Sequence, residues 1–299
     1  MKPVILGSRG SALALAQTKL VLAELQHAWS GRTFEIKIIK TQGDRLSESA
    51  NPGQSLGKGL FTAELERALL DGGIDLAVHS LKDLPTSDAE GLALAAIPPR
   101  ADARDALITR GEKSLEELSL NPVIATGSPR RAAQLRQARS DVRTMEIRGN
   151  IDTRLRKFRE NREWNGLILA AAGLERLRPD LSGLTVTPIP FSLMLPAPGQ
   201  GALTLQIRSG DAGLSELVRV IHDVGTAAQI TAERSFLQAL GGGCQQPIAA
   251  YAEIDAEKNL KLQGIAWLGN ETVPRHGQRT GLLDEAEVIG RTLAEEISR

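Results

Sequence analysis

Cys244 is the only cysteine among 299 residues. It follows Gly241-Gly242-Gly243, and two glutamines separate it from Pro247. A lone thiol makes no intramolecular disulfide, which leaves inert packing, a ligand, a nucleophile or an attachment point. The glycine run argues against packing, because a core position is flanked by side chains that pack, whereas glycine lets another group approach the backbone. A second candidate lies in Asp75-Leu76-Ala77-Val78-His79-Ser80-Leu81-Lys82-Asp83-Leu84-Pro85, where Lys82 and Asp83 follow an apolar run. An adjacent acid and base at a strand's end can bind a zwitterion or stabilise a developing cation; the alternative is a solvated loop pair. Lys58 sits between Gly57 and Gly59, with Phe61 nearby.

Three segments share the order strand, small polar turn, helix. They are Leu6-Gly7-Ser8-Arg9-Gly10-Ser11-Ala12, Ala125-Thr126-Gly127-Ser128-Pro129-Arg130-Arg131 and Arg148-Gly149-Asn150-Ile151-Asp152-Thr153-Arg154. Ser128 suits an N-cap and Pro129 the first helical position. Free N–H groups and the helix dipole favour anions there, and arginines add a bidentate grip on carboxylate or phosphate. Neither a GxxxxGK[ST] run nor a GxGxxG after a strand is present, so carboxylates are the better guess than nucleotide phosphates. Together the three turns predict a cleft for several negative groups.

The charge distribution agrees. Lys+Arg and Asp+Glu both number 36, so the net charge is zero. Between Arg130 and Arg162, however, eleven basic residues face four acidic ones. Such a stretch is a solvated helix face, a nucleic-acid surface or a pocket for small polyanions. Phe158 is its only aromatic residue, which disfavours single-strand binding by base stacking. His27, His79, His222 and His276 are scattered without ligand spacing, so no metal site is expected.

These residues need a scaffold to position them. Hydrophobic residues at 41% and charged residues at 24% describe an ordinary globular chain of two or three domains. The N-terminus is too short and polar for a signal peptide, and no apolar run reaches membrane-spanning length. A single cysteine with no export signal points to the cytoplasm. Strands are expected at 4–6, 34–39, 74–78, 123–125, 167–169 and 202–207, with helices at 11–26, 61–70 and 130–137. This alternation predicts mainly parallel sheets covered by helices. A proline-rich crossing spans 188–198. After Gly225 a helix leads to Cys244, strands follow at 248–254 and 260–268, and a helix closes the chain at about 284–298. The class is α/β: two α/β lobes and a small α+β lobe.

Taken in order, Ser8-Arg9-Gly10-Ser11-Ala12-Leu13-Ala14, Gly57-Lys58-Gly59-Leu60-Phe61, His79-Ser80-Leu81-Lys82-Asp83-Leu84-Pro85, Thr126-Gly127-Ser128-Pro129-Arg130-Arg131, Arg148-Gly149-Asn150, Leu195-Pro196-Ala197-Pro198-Gly199-Gln200-Gly201-Ala202, Glu233-Arg234 and Gly242-Gly243-Cys244 resemble the porphobilinogen deaminase (hydroxymethylbilane synthase) family of tetrapyrrole and haem biosynthesis almost end to end. The resemblance implies a transferase. It deaminates four porphobilinogens and joins them head to tail on a dipyrromethane primer held through a thioether to Cys244. Hydrolysis then releases hydroxymethylbilane. Asp83 is implied as the catalytic carboxylate beside cationic pyrrole intermediates. Lys82, Thr126, Ser128, Arg130, Arg131, Arg148, Gly149 and Asn150 are implied to bind the cofactor, and Arg9, Ser11, Lys58, Phe61, Arg148, Arg154 and Gln200 the substrate.

The implied fold has two domains like type II periplasmic binding proteins, about 1–98 with 201–219 and about 104–195, and a third at about 223–299. The first holds the catalytic Asp83 side of the cleft, the second is basic and the third carries Cys244. The expected partner is porphobilinogen, with no nucleic acid and no membrane, and the family implies a monomer. Gln54, Gly127, Pro129 and Gln246 depart from the commoner pattern; Gln54 and Gly127 remove side-chain contacts to cofactor carboxylates. Two other readings use the same residues. One is a non-enzymatic binder of small anions, which has no need of the Gly-Gly-Cys loop. The other is a cysteine hydrolase, whose known motifs differ from the surroundings of Cys244.

Overall fold

The computed structural model describes residues 2–41, 62–87, 89–242, 246–269 and 271–299. It divides into two compact units, Met1–Ala101 with Ala202–Ala228, and Asp102–Gly201 with Gln229–Arg299. Lys58, Phe61, Gln54 and Cys244 lie outside the described residues.

In the first unit, β1 (Val4–Arg9) leads through Ser11 into α1 (Ala12–Ala28). The Ser11 hydroxyl accepts from the Ala14 N–H at 3.3 Å, which satisfies one of the orphan donors of the first turn. Helix α1 buries Gln17, Thr18, Val21 and Leu25, a stripe set by the helical period. Strand β2 (Phe34–Ile39) follows, then α2 (Ala63–Leu70), which buries Leu65 and Leu69. Next come β3 (Leu76–Ser80), β4 (Leu92–Ala96) and, after the chain returns, β10 (Leu203–Arg208). The sheet order is β2-β1-β3-β10-β4. Its core joins Leu6, Val21, Leu25, Leu76, Val78, Leu205 and Ile207 to Leu214, Leu217 and Val218 of α6 (Ala212–Arg219).

The second unit repeats this plan. Its strands are β5 (Asp105–Thr109), β6 (Val123–Ala125), β7 (Arg143–Met145), β8 (Gly166–Ala170) and β9 (Thr185–Pro188), in the order β7-β6-β8-β5-β9. Helices α3 (Pro129–Ala138), α4 (Ile151–Glu160) and α5 (Ala171–Leu177) follow β6, β7 and β8. Both sheets share one pattern. Three parallel strands adjoin a strand that enters from a crossing and runs antiparallel to both neighbours: β10 in one sheet, β5 in the other. This is the type II periplasmic-binding-protein arrangement. Four of the five strands in each sheet run in one direction, in keeping with the expected mainly parallel sheets; the fifth, arriving by a crossing, inserts between two others in the opposite direction.

After α7 (Val224–Ala239) the chain forms an antiparallel sheet β11-β12-β13, from Ile248–Ile254, Leu260–Ala266 and Arg275–Gly281. A 3₁₀ turn, Leu283–Glu285, then enters α8 (Ala286–Ser298), which buries Ile289, Leu293 and Ile297. Helix α7 ends at a glycine motif. Gly241, at φ +64°, donates to Gln238 O at 2.9 Å, and Gly242 donates to Leu237 O at 3.0 Å. This is the pairing of a Schellman cap, and its left-handed residue explains why a glycine stands there.

Candidate functional site

In the first unit, β1 and β3 are parallel neighbours, so their C-terminal ends share one edge of the sheet. Arg9 closes β1 and Ser11 caps α1, while Lys82 and Asp83 sit in the 3₁₀ turn Leu81–Asp83 that follows β3. Leu81 anchors that turn, fully buried, with its N–H donating to Ala202 O at 3.1 Å. Lys82 is half-buried and Asp83 is exposed. The Gln17 amide bonds the Ser80 hydroxyl at 2.9 Å, tying α1 to the end of β3. Behind the turn, His79 is 5% exposed, and its Nε2 meets Gln206 Oε1 at 3.1 Å. Burial pushes the His79 imidazole down and the nearby Arg9 charge adds to this; the Gln206 bond opposes both, and the ring settles at about 4. It is therefore neutral at pH 7.

In the second unit, β6 and β7 are parallel neighbours, and each is followed by a loop and a helix. Ser128 caps α3, accepting from the Arg131 N–H at 3.4 Å, with Pro129 in the first turn. Thr126 turns its hydroxyl to the Ser128 N–H at 3.2 Å. Asn150 caps α4, accepting from the Thr153 N–H at 2.9 Å. The Arg154 guanidinium bonds Gly149 O at 2.7 Å, and Arg148 pairs with Glu146 at 2.6 Å. Gly127 has a steric reason to be glycine: a Cβ there would lie 2.6 Å from Ile147 O. A serine at this position requires the Ile147 carbonyl to move.

The two arginines at the start of α3 face inward. Arg130 is 5% exposed and Arg131 6%, and both reach Asp105, which is fully buried at the head of β5. Arg131 Nη2 and Nε lie 2.7 Å and 3.0 Å from Asp105 Oδ1, and its Nη1 donates to Ile168 O at 3.1 Å. Arg130 Nη1 lies 2.8 Å from Asp105 Oδ2 and donates to Leu195 O at 2.7 Å. The Arg130–Oδ2 pair is a charge contact without hydrogen-bond alignment. Burial alone raises the Asp105 carboxyl, but the two guanidiniums outweigh it and hold the group far below the usual carboxylate range. Burial pushes Arg130 down, partly offset by Asp105.

Gln200 belongs to the same cluster. Its side chain is fully buried, and Nε2 donates to Ala103 O at 2.8 Å and to Asp105 Oδ1 at 2.9 Å. Sequence reasoning passed over Asp105; the available signal was an acid heading the apolar run Asp105-Ala106-Leu107-Ile108-Thr109. It also gave Glu233 no role. That carboxylate is fully buried and accepts from Gly199 N at 2.7 Å and Ala252 N at 2.8 Å, fastening the crossing to β11. Arg176 adds a bond to Gly201 O at 2.7 Å. A groove of about 500 Å³ elsewhere in this unit is lined by Gln134, Gln137, Phe191, Gln263, His276 and Gln278 among others. It holds no arginine or lysine and none of the residues singled out for chemistry, so it does not suit a polyanion. Among the described residues no cluster of three His, Cys, Asp or Glu side chains is placed to hold a metal.

The chain matches the family model for the porphobilinogen deaminase, dipyromethane cofactor binding domain over residues 4–216, and that for the porphobilinogen deaminase C-terminal domain over 227–299. The chain belongs to the porphobilinogen deaminase family. The porphobilinogen deaminase of Thermus thermophilus is 40% identical over 297 residues, spanning 99% of this chain and 96% of the relative. That of Deinococcus deserti is 45% identical, spanning 98% and 94%, and that of Geobacillus kaustophilus 46%, spanning 89% and 84%. This family is a transferase family of porphyrin and haem biosynthesis that polymerises porphobilinogen into hydroxymethylbilane on a dipyrromethane cofactor. Pyrroles bearing acetate and propionate need donors of positive charge. The capped, arginine-bearing starts of α3 and α4 supply that chemistry, so the residues present fit the cofactor.

Proposed function

We propose that Asp83 is the catalytic carboxylate and Cys244 the attachment point of the cofactor, with the donors of the two units holding pyrrole carboxylates. The carrying observation is that the starts of α3 and α4, following adjacent parallel strands, both present capped first turns beside arginines. In the second unit Thr126, Ser128, Arg130, Arg131, Arg148, Gly149 and Asn150 hold cofactor carboxylates, joined by Lys82 of the first. Arg9, Ser11, Lys58, Phe61, Arg148, Arg154 and Gln200 serve the incoming substrate. The bound cofactor supplies a primer whose terminal pyrrole has a free, nucleophilic α-carbon.

Asp83 stands on the polar edge of its sheet, on a turn fixed by buried Leu81. There its charge stabilises the cation that develops as porphobilinogen loses ammonia, and its oxygens accept from pyrrole N–H groups. Each charge-assisted contact to a substrate carboxylate contributes about 1.5–3 kcal/mol, so several together retain a growing polyanion without a deep apolar pocket. No described helix is long and apolar enough to cross a membrane. A monomer acting in the cytoplasm, without nucleic acid, completes the reading. So does a third domain at 223–299, supported by its own sheet and the separate family model, although compactness groups this segment with the second unit.

The test is the intact mass of the denatured protein, with peptide mapping. An added mass of two porphobilinogens less two ammonias on the Cys244 peptide is the expected result. An unmodified protein that gains no mass on incubation with porphobilinogen overturns the assignment. Cys244→Ala should carry no such mass and show no sustained turnover.

A further inference from the structure

Asp105 has no part in the roles above, yet it is where the anion-binding residues of the second unit converge. Its Oδ1 receives Arg131 through two nitrogens and Gln200 through a third, and its Oδ2 faces Arg130 at 2.8 Å. A fully buried carboxylate with two guanidiniums is not explained by stability, since such clusters gain little over an apolar packing of the same volume. The charges themselves are informative: two cations and one anion leave a single positive charge where the sequence alone shows two. The cluster also joins two stretches of chain, because Gln200 spans from Ala103 O to Asp105.

We propose that Asp105 is a positioning residue: it fixes Arg130 and Arg131 and neutralises half their charge, so that this end of the site holds the carboxylates of a growing pyrrole chain firmly but releasably. An unneutralised pair would grip one ligand carboxylate too tightly for the chain to advance. An arginine freed of Asp105 would also lose its fixed rotamer. This inference rests on the assignment of Arg130 and Arg131 as carboxylate holders.

The experiment compares wild-type holoenzyme with Asp105→Asn and Asp105→Glu, given one to four equivalents of porphobilinogen and read by intact mass. The expected Asp105→Asn protein carries the two-pyrrole primer. It accumulates one elongation species at about three times its wild-type share, and its kcat falls about tenfold with KM nearly unchanged. Asp105→Glu, which restores the charge, should return the distribution towards wild type. A lower melting temperature with an unchanged mass ladder and unchanged kcat per folded molecule would mean Asp105 is only structural, and the proposal fails. If Asp105→Asn does not fold, Asp105→Ser, which also removes the charge, takes its place: an accumulated elongation species supports the proposal, a wild-type ladder overturns it. Arg131→Leu separates this from the underlying assignment. Retention of primer and a wild-type ladder in Arg131→Leu sinks the carboxylate-holding role itself. Loss there, with wild-type behaviour in Asp105→Asn, sinks only the role of Asp105.

Discussion

Asp83 is exposed on its turn, so its removal tests chemistry with little effect on the fold. Asp83→Ala should change stability by less than about 0.5 kcal/mol and lower kcat by about 10²–10³, as expected when one electrostatic stabiliser is lost. Steady-state assay beside a denaturant titration checks both. His79, four residues earlier, makes the opposite case. Its folded pKa lies near 4, below the ordinary 6.5. As pH falls below about 6.5 the unfolded chain takes up a proton that the folded chain refuses. Stability is therefore lost down to about pH 4, and no more is lost below that. Between pH 7 and 5 this amounts to about 2 kcal/mol. His79→Gln should lose correspondingly less over that interval in urea unfolding. An identical pH slope would show that the buried imidazole is protonated without cost. At this scale the expected place of Lys82-Asp83, just after a buried strand, agrees with the structure. The burial of Gln200 and the convergence on Asp105 were not legible in the sequence, because their partners lie 26 to 97 residues away in the chain.

Helix starts carry the anion-binding reading, and they can be tested one at a time. Ser128→Ala removes the acceptor of the Arg131 N–H, so α3 should lose about 1 kcal/mol, and elongation should slow because Arg131 is no longer held at its root. Ser128→Thr should retain both. Caps of this kind were readable from the sequence, since Ser-Pro and Asn-Ile-Asp are local signals. Strands marked by apolar alternation or by a short apolar run were equally readable: 34–39, 123–125 and 248–254 agree with the structure. Strand β13 was not. Its run Arg275-His276-Gly277-Gln278-Arg279-Thr280-Gly281 has no apolar face, because Leu293 and Ile289 of α8 press where Gly277 and Gly281 have no side chain. Strand β5 was missed for another reason. It follows the Pro98-Pro99 break by only a few residues, with no helix between to announce a new strand.

The order of the two sheets follows from how the chain is threaded, which no local pattern encodes. Each sheet receives one strand through a crossing, and that strand is antiparallel in both. Mutual dependence follows at the scale of the molecule. A fragment of residues 1–101 has β3 and β4 but lacks β10, the strand that pairs with both. It should be insoluble when expressed alone, with unpaired edges inside what becomes a continuous sheet. Co-expression with the remainder is the comparison, and a soluble, cooperatively melting 1–101 fragment would contradict the threading.

The same threading bears on synthesis. A ribosome delivers β5 to β9 as one uninterrupted stretch, 105–188, so that sheet has all its strands as soon as they emerge. The sheet whose strands are made first must wait with a gap between β3 and β4 until Leu203–Arg208 appears, about five seconds or more later at ordinary elongation rates. Of the two five-stranded sheets, the one whose strands emerge first is thus the last to close, and its strands are the ones that nascent-chain chaperones have most reason to meet.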